Sequence, residues 1–335
     1  MKKNPKVSII IPIYNVSSYI KKCALSVINQ SYSNIEVVFV NDKSPDDSIE
    51  QLNDLMRAYP DMQQNVIIIS HEENKGLAEA RNTGVLAATG DYIMHLDSDD
   101  YLEPNAVEKC VSIINAEEAD AVIFGMRHIF NKFSIIEHIK IPQDKTQYIN
   151  QLIRRQTIVC MCGGLYKSDL YTDNHILAIP GLNMGEDYST KPRLLYYAKR
   201  IVALDEPLYC YNHTNENSYT NRFSDKIINN VTQAISVLSE FFMKQSDYKL
   251  YEDSLDYASL SSKVLLLKSW ALSDSDKNYF KKIRLLYQEI SIRIIPNIID
   301  RFILYLCKYG FARTTRVFVR VAFVIKRHIK RIKEI

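Results

Sequence analysis

Glycine is scarce in this chain, with nine in 335 residues, and no G-x-G-x-x-G run follows the first apolar segment. That absence argues against a dinucleotide-dependent dehydrogenase. The six cysteines stand at 23, 110, 160, 162, 210 and 307 with no C-x-x-C pair, and Cys160-Met161-Cys162 lacks the spacing of a zinc knuckle. They read as reduced core thiols of a cytosolic protein. No apolar run approaches the ~18 residues that span a bilayer. Met1-Lys2-Lys3 leads straight into a strand pattern without a cleavage site, so no secretory leader is expected. In that setting the sequons at Asn212 and Asn230 are chance matches. No internal repeat or low-complexity linker is visible.

The composition, 47% hydrophobic and 24% charged, fits a globular protein with a sizeable core. The charge is unevenly placed. Residues 301–335 hold ten Lys/Arg against one acidic residue, so the tail carries +9 and the rest of the chain −6. An acidic body without a recognition module speaks against nucleic-acid binding.

The first hundred residues alternate short apolar strands (7–12, 35–41, 66–70, 92–96) with helical patterns (about 17–29, about 46–59, after Gly76, after Pro104). Ser17 or Ser18 could cap the first helix. This alternation predicts an α/β fold with a mostly parallel, doubly wound sheet. Ligands of such sheets bind beyond the carboxyl ends of the strands, where Tyr14, Asp42 and Asp97 all stand. The region 118–222 is less regular, with a short strand at 121–124. Helices are expected at about 224–242, 253–272 and 276–290.

Strand 92–96 ends in Asp97-Ser98-Asp99-Asp100. Hard oxygen donors there suit Mg²⁺ or Mn²⁺, ions that usually share coordination with substrate phosphates. A phosphatase nucleophile is disfavoured, because its D-x-D follows the first strand and this one follows the fourth. The cluster closes an ordered series: Val7–Asn15, Ile35–Asp42 with Ser44 and Asp46, then Asn74-Lys75-Gly76-Leu77-Ala78-Glu79-Ala80-Arg81-Asn82. Gly185-Glu186-Asp187 follows ninety residues later.

Taken together, the series over roughly residues 5–220 resembles the family 2 glycosyltransferases, inverting enzymes of the GT-A fold that use nucleotide-diphosphate sugars. The resemblance implies that Pro12, Tyr14 and Asp42 hold the nucleotide. Lys75 and Arg81 would bear on the diphosphate, Arg81 through its rigid fork. Asp97 and Ser98 would lie at the ribose or the metal shell, and Asp99 would bind Mn²⁺ or Mg²⁺, with His213 either a further ligand or a contact to the diphosphate. Asp187 would be the general base. The family usually has glycine after the nucleotide Asp, and this chain has Lys43. Asp46 and Asp42 each admit a second reading as helix caps. The segment Tyr209–Thr220 resembles the family's tyrosine-rich stretch ending in Ser-x-Thr. The Gln-x-x-Arg-Trp motif of processive synthases is absent, which predicts one sugar per binding event.

Projected at 100° per residue, 313–333 separates Val317, Phe318, Val321, Val324, Ile325, Ile329 and Ile332 from Arg313, Arg316, Arg320, Arg327, Lys330 and Arg331. Such a helix suits an anionic membrane surface, or packs its apolar side on protein. Three regions are therefore expected: a catalytic domain over 1–222, helices over 223–295 and a membrane-associating tail over 296–335. The expected activity is transfer of one sugar from a UDP-sugar to a hydroxyl of a saccharide, lipid-linked acceptors included, at the cytoplasmic face of a bacterial membrane. A polyprenyl-phosphate sugar transferase and a non-catalytic nucleotide-sugar-binding subunit are the alternatives.

Overall fold

The computed structural model describes residues 4–215 and 223–333, without the side chains of Met62 and of 327–333. It divides into two compact units, Met1–Ser218 and Tyr219–Ile335.

The first unit is built on one sheet. Strands β1 (Val7–Ile13), β2 (Ile35–Asn41), β3 (Val66–Ser70) and β4 (Tyr92–His95) are parallel, in the order β3-β2-β1-β4. β1 and β4 are buried along their whole length, as expected of central parallel strands covered on both faces. The intervening helices are α1 (Ile20–Ile28), α2 (Ser48–Ala58) and α3 (Leu77–Ala87). Helix α3 lies so close on β1 that a Cβ at Gly84 would sit 2.3 Å from Ile10 Cγ2. Neither Ser17 nor Ser18 caps α1; its first N–H groups turn back to the Val16 carbonyl, and Ser17 N–H donates to Asp46.

Beyond β4 the sheet becomes mixed. A short β5 (Tyr101–Leu102) precedes α4 (Ala106–Glu117), and β6 (Ala121–Ile129) runs five residues further than the apolar pattern indicates. β7 (Ser134–Glu137) and α5 (Lys145–Ile153) follow. β8 (Gly164–Lys167) then inserts antiparallel between β4 and β6. After α6 (Asp169–Thr172) and α7 (Glu186–Tyr196) comes β9 (Ile201–Asn212), parallel to β6 with a register shift around Gly125. β9 escaped the sequence reading because its first half is partly exposed and carries Asp205 and Glu206.

The second unit is helical: α8 (Asp225–Met243), α9 (Glu252–Leu272), α10 (Lys277–Leu285), α11 (Ile298–Lys308) and α12 (Ala312–Lys333). The other four helices all pack on α9, which buries Leu255, Val264, Leu267 and Trp270. Helix α12 reaches α9 through buried Thr315 and Val319, not through the wider apolar face. Arg316 stacks over Trp270 at 4.2 Å, and Arg320 donates to the carbonyls of Ala271 and Ser273 at the α9 C-terminus. Two cations of the expected basic face are therefore turned onto protein, where they satisfy carbonyls that the helix end leaves free. Val317, Val321, Val324 and Ile325 stay exposed. The side chains of Arg327, Ile329, Lys330, Arg331 and Ile332 lie outside the described residues, as does the Ser218–Thr220 part of the tyrosine-rich segment. No helix among the described residues is long and apolar enough to cross a membrane.

Candidate active site

The parallel register aligns Ile13 with Asn41 and Ile10 with His95, so Tyr14, Asp42 and Asp97 leave the sheet at the same edge. Tyr14 is 47% exposed there, a ring free to stack, while Pro12 is buried within β1 opposite Val40. Asp42 is buried and heavily used. It receives His71 Nδ1 at 2.8 Å, Lys75 N–H at 2.8 Å and Gly76 N–H at 2.7 Å. Its carboxylate thus fixes the loop entering α3 and does not cap α2, leaving about one lone-pair site open. The cap-like residue is Asp46, which accepts from Ser44, Ser48 and the Ser17 N–H. Burial raises its pKa, but these hydrogen bonds outweigh it and bring the carboxyl down to about 2. Lys43 is exposed in the left-handed region at φ 57, which explains the glycine usual at this place. Lys75 is exposed.

Arg81, expected at the diphosphate, is held by carboxylates of the protein itself. The side chain is buried, Nη1 donates to Glu186 at 2.9 Å and to Asp187, and Nη2 donates to Asp97 at 2.8 Å. A guanidinium committed to three carboxylates has little left for a diphosphate. Instead it ties the acidic end of β4 to the start of α7. Burial pushes the Glu186 and Asp187 carboxyls up, Asp187 adds to the rise at Glu186 and Asp97 to that at Asp187, and Arg81 opposes both. Lys191 braces the site by donating to the carbonyls of Ile158 (3.0 Å) and Cys160 (2.9 Å), which hold the turn before β8.

Asp97–Asp100 forms a turn closed by Asp100 N–H to the Asp97 carbonyl. Ser98 is buried in it. Asp100 accepts from the Tyr209 hydroxyl (2.5 Å) and the Asn212 N–H (2.7 Å), so it anchors β9. Burial, then Asp99 and Asp97, push its carboxyl up to about 8. Asp99 accepts from Asn215 at 3.0 Å, and burial followed by Asp97 raises it as well. His213 lies elsewhere in the loop: its ring stacks on Phe130 at 4.4 Å, and its Nε2 pairs with His128 Nδ1 at 2.9 Å. It does not join Asp97 and Asp99 in a three-residue cluster, and no such cluster occurs among the described residues. An aromatic stack with a neighbouring imidazole holds it, which single-residue reading could not foresee. Sequence reasoning also passed over His71 and Asn183, whose roles depend on partners far along the chain.

Residues 8–171 match the family described as Glycosyl transferase family 2. The chain belongs to that family. The putative glycosyltransferase EpsH of Bacillus subtilis is 29% identical to this glycosyltransferase over 291 residues, 84% of this chain and 82% of EpsH. Chondroitin synthase of Escherichia coli is 40% identical over 124 residues, 37% of this chain and 17% of that one. Among solved structures, S. aureus TarS 1–349 in complex with UDP-GlcNAc aligns with a TM-score of 0.70 at 18% identity, over 94% of this chain and 90% of that one. That likeness establishes the GT-A fold of this glycosyltransferase, with its C-terminal helices.

The residues at the end of β4 fit a hard divalent cation. They offer carboxylate oxygens, and burial followed by the neighbouring Asp97 raises Asp99, a cost to its charged form that a cation would offset. Two carboxylates without a full protein cage suit an ion that completes its shell with substrate phosphates.

Proposed function

We propose that the protein transfers one sugar from a UDP-sugar to a hydroxyl of a saccharide acceptor, with inversion, and that Asp187 is the general base. The observation that carries this reading is the guanidinium of Arg81, which joins Asp97 of the donor motif to Asp187. Donor carboxylates and base then sit within one side chain's reach of each other, as an in-line displacement requires. Asp187 takes the proton of the acceptor hydroxyl as its oxygen bonds to the anomeric carbon. The bond from that carbon to the diphosphate breaks on the opposite face, and UDP departs. A base lifted by burial suits that task near neutral pH. Tyr14 would stack on uracil, Pro12 would shape the floor beneath it, and the open lone pair of Asp42 would meet the imide N–H. Ser98 and Asp97 would face the ribose, and Lys75 the phosphates. Mn²⁺ or Mg²⁺ held by Asp99 would neutralise charge on the departing diphosphate. His213 would approach only by leaving its stack on Phe130.

The names of the relatives point to bacterial polysaccharide synthesis, and the UDP-GlcNAc bound by TarS favours a UDP-sugar donor. The exposed apolar face of α12 supports a lipid-linked acceptor met at the cytoplasmic face of an anionic membrane. The test is release of free nucleotide from a panel of UDP-, GDP- and dTDP-sugars with Mn²⁺ or Mg²⁺. Slow metal-dependent release from one UDP-sugar, lost in Asp99→Ala, is the expected result. Silence across the panel, without metal-dependent nucleotide binding, would overturn the reading.

A further inference from the structure

Three buried polar atoms beside the carboxylate pair have no partner among the protein's own atoms: Arg81 Nε, His95 Nδ1 and Thr190 Oγ1. They come from α3, β4 and α7, and each residue is at most 4% exposed. Arg81, His95 and Thr190 all line one cavity of about 10 Å³. A buried polar atom left without a hydrogen bond costs ~1–3 kcal/mol. Three of them around one small space therefore call for an occupant.

Chemistry narrows that occupant. Arg81 Nε–H can only donate, so the occupant must accept there. His95 Nε2 lies 3.0 Å from the Tyr171 hydroxyl and is paired there. Nδ1 is left to accept or to donate, according to the tautomer. The Thr190 hydroxyl serves in either sense. An occupant that accepts from Arg81 Nε–H and can donate or accept at its other two neighbours, in the space of about one water-sized sphere, is water. A carboxylate or phosphate is too large, and a cation cannot accept from Arg81 Nε–H.

We infer that one water molecule is bound in this cavity, accepting from Arg81 Nε and bridging to His95 Nδ1 and Thr190 Oγ1, and that His95 and Thr190 act through it as positioning residues for Arg81. The water grips the guanidinium at Nε while the two Nη atoms grip Asp97, Glu186 and Asp187. Both ends of the planar group are then fixed, and with them the carboxylate that receives the acceptor proton. The catalytic half of this inference rests on the glycosyl-transfer reading; the water itself does not.

A high-resolution crystal structure of the full chain tests the water directly. Density for a single atom within hydrogen-bond distance of all three groups is expected. An empty cavity, or side chains turned so that they pair with one another, overturns the inference. Thr190→Val keeps the shape and removes the hydroxyl, while Thr190→Ser keeps the hydroxyl. The valine variant should lose roughly fivefold or more in kcat, the equivalent of about one hydrogen bond, with the donor KM within about twofold. The serine variant should recover most of the loss. Wild-type kcat in Thr190→Val, or a loss that serine fails to restore, overturns the positioning role. If no donor gives turnover in the wild type, the transfer reading fails, and the density still decides the water.

Discussion

Arg81 carries one positive charge against Asp97, Glu186 and Asp187, and its own side chain is almost wholly out of water. Burying these groups is costly unless they are paired, and removing one member leaves the others uncompensated. Arg81→Met should therefore lose about 3–5 kcal/mol of stability near neutral pH, the usual cost of breaking a buried ion pair. The loss has a pH dependence whose sign follows from linkage. Without the cation, the folded-state pKa values of Glu186 and Asp187, already raised by burial, rise further above their unfolded values. The folded state then binds more protons than the unfolded state above the ordinary carboxylate range, so stability falls as pH rises. Urea unfolding of wild type and variant at pH 5 and pH 8 checks this. A destabilisation equal at the two values, or larger at the lower one, would contradict the assigned pairing. The acidic motifs were legible from sequence because strand ends and spacing mark them. Their common counter-ion was not, because nothing local distinguishes a helical Arg that faces solvent from one that faces a carboxylate 106 residues away.

The start of α3 shows the same division at the level of an element. The pattern after Gly76 reads as a helix from sequence, but the devices that begin it are long-range. Lys75 and Gly76 N–H groups donate to Asp42, and Ala78 N–H donates to Asn183. A helix start leaves such groups without intrahelical partners, and here two distant side chains supply them. Gly76 has φ +89, and a Cβ there would stand 2.1 Å from Asn183 Nδ2. Gly76→Ala must both strain the backbone and expel Asn183, so a destabilisation of about 2 kcal/mol or more is expected. Asn183→Ala, which removes only the cap, should cost about 1 kcal/mol. Thermal or urea unfolding ranks the two, and the reverse order would show that the loop accommodates a side chain. β9 marks the opposite case: its pairing with β6 joins segments eighty residues apart, and neither segment alternates cleanly enough to announce it.

At the scale of the whole molecule, the question is what the helical unit does with its exposed apolar surface. Val317 is 62% exposed and Ile298 74%, and Val321, Val324, Ile325, Ile299 and Phe302 are also open on α12 and α11. An apolar groove of about 660 Å³ lies between these helices, lined by Ile299, Ile303, Phe318 and Ile325. The same segment carries most of the chain's excess positive charge: the tail holds +9 against −6 for the remainder. Apolar side chains within a basic helix favour the interface of an anionic bilayer, where each basic residue near the surface adds about 1 kcal/mol. The protein should therefore cosediment with vesicles containing anionic lipid and much less with vesicles of zwitterionic lipid alone. Raised salt should weaken that binding without abolishing it, because screening acts on the charges and not on the apolar contact. Val321→Asp with Val324→Asp should remove the binding while leaving the melting temperature nearly unchanged, since both side chains are already in water. Equal binding to both vesicle types would leave the charge without a role. Retention of binding by the double variant would move the contact away from α12 altogether. Because nucleotide release from the donor needs no membrane, it should survive in that variant, and transfer to a lipid-linked acceptor in vesicles should fall with the binding.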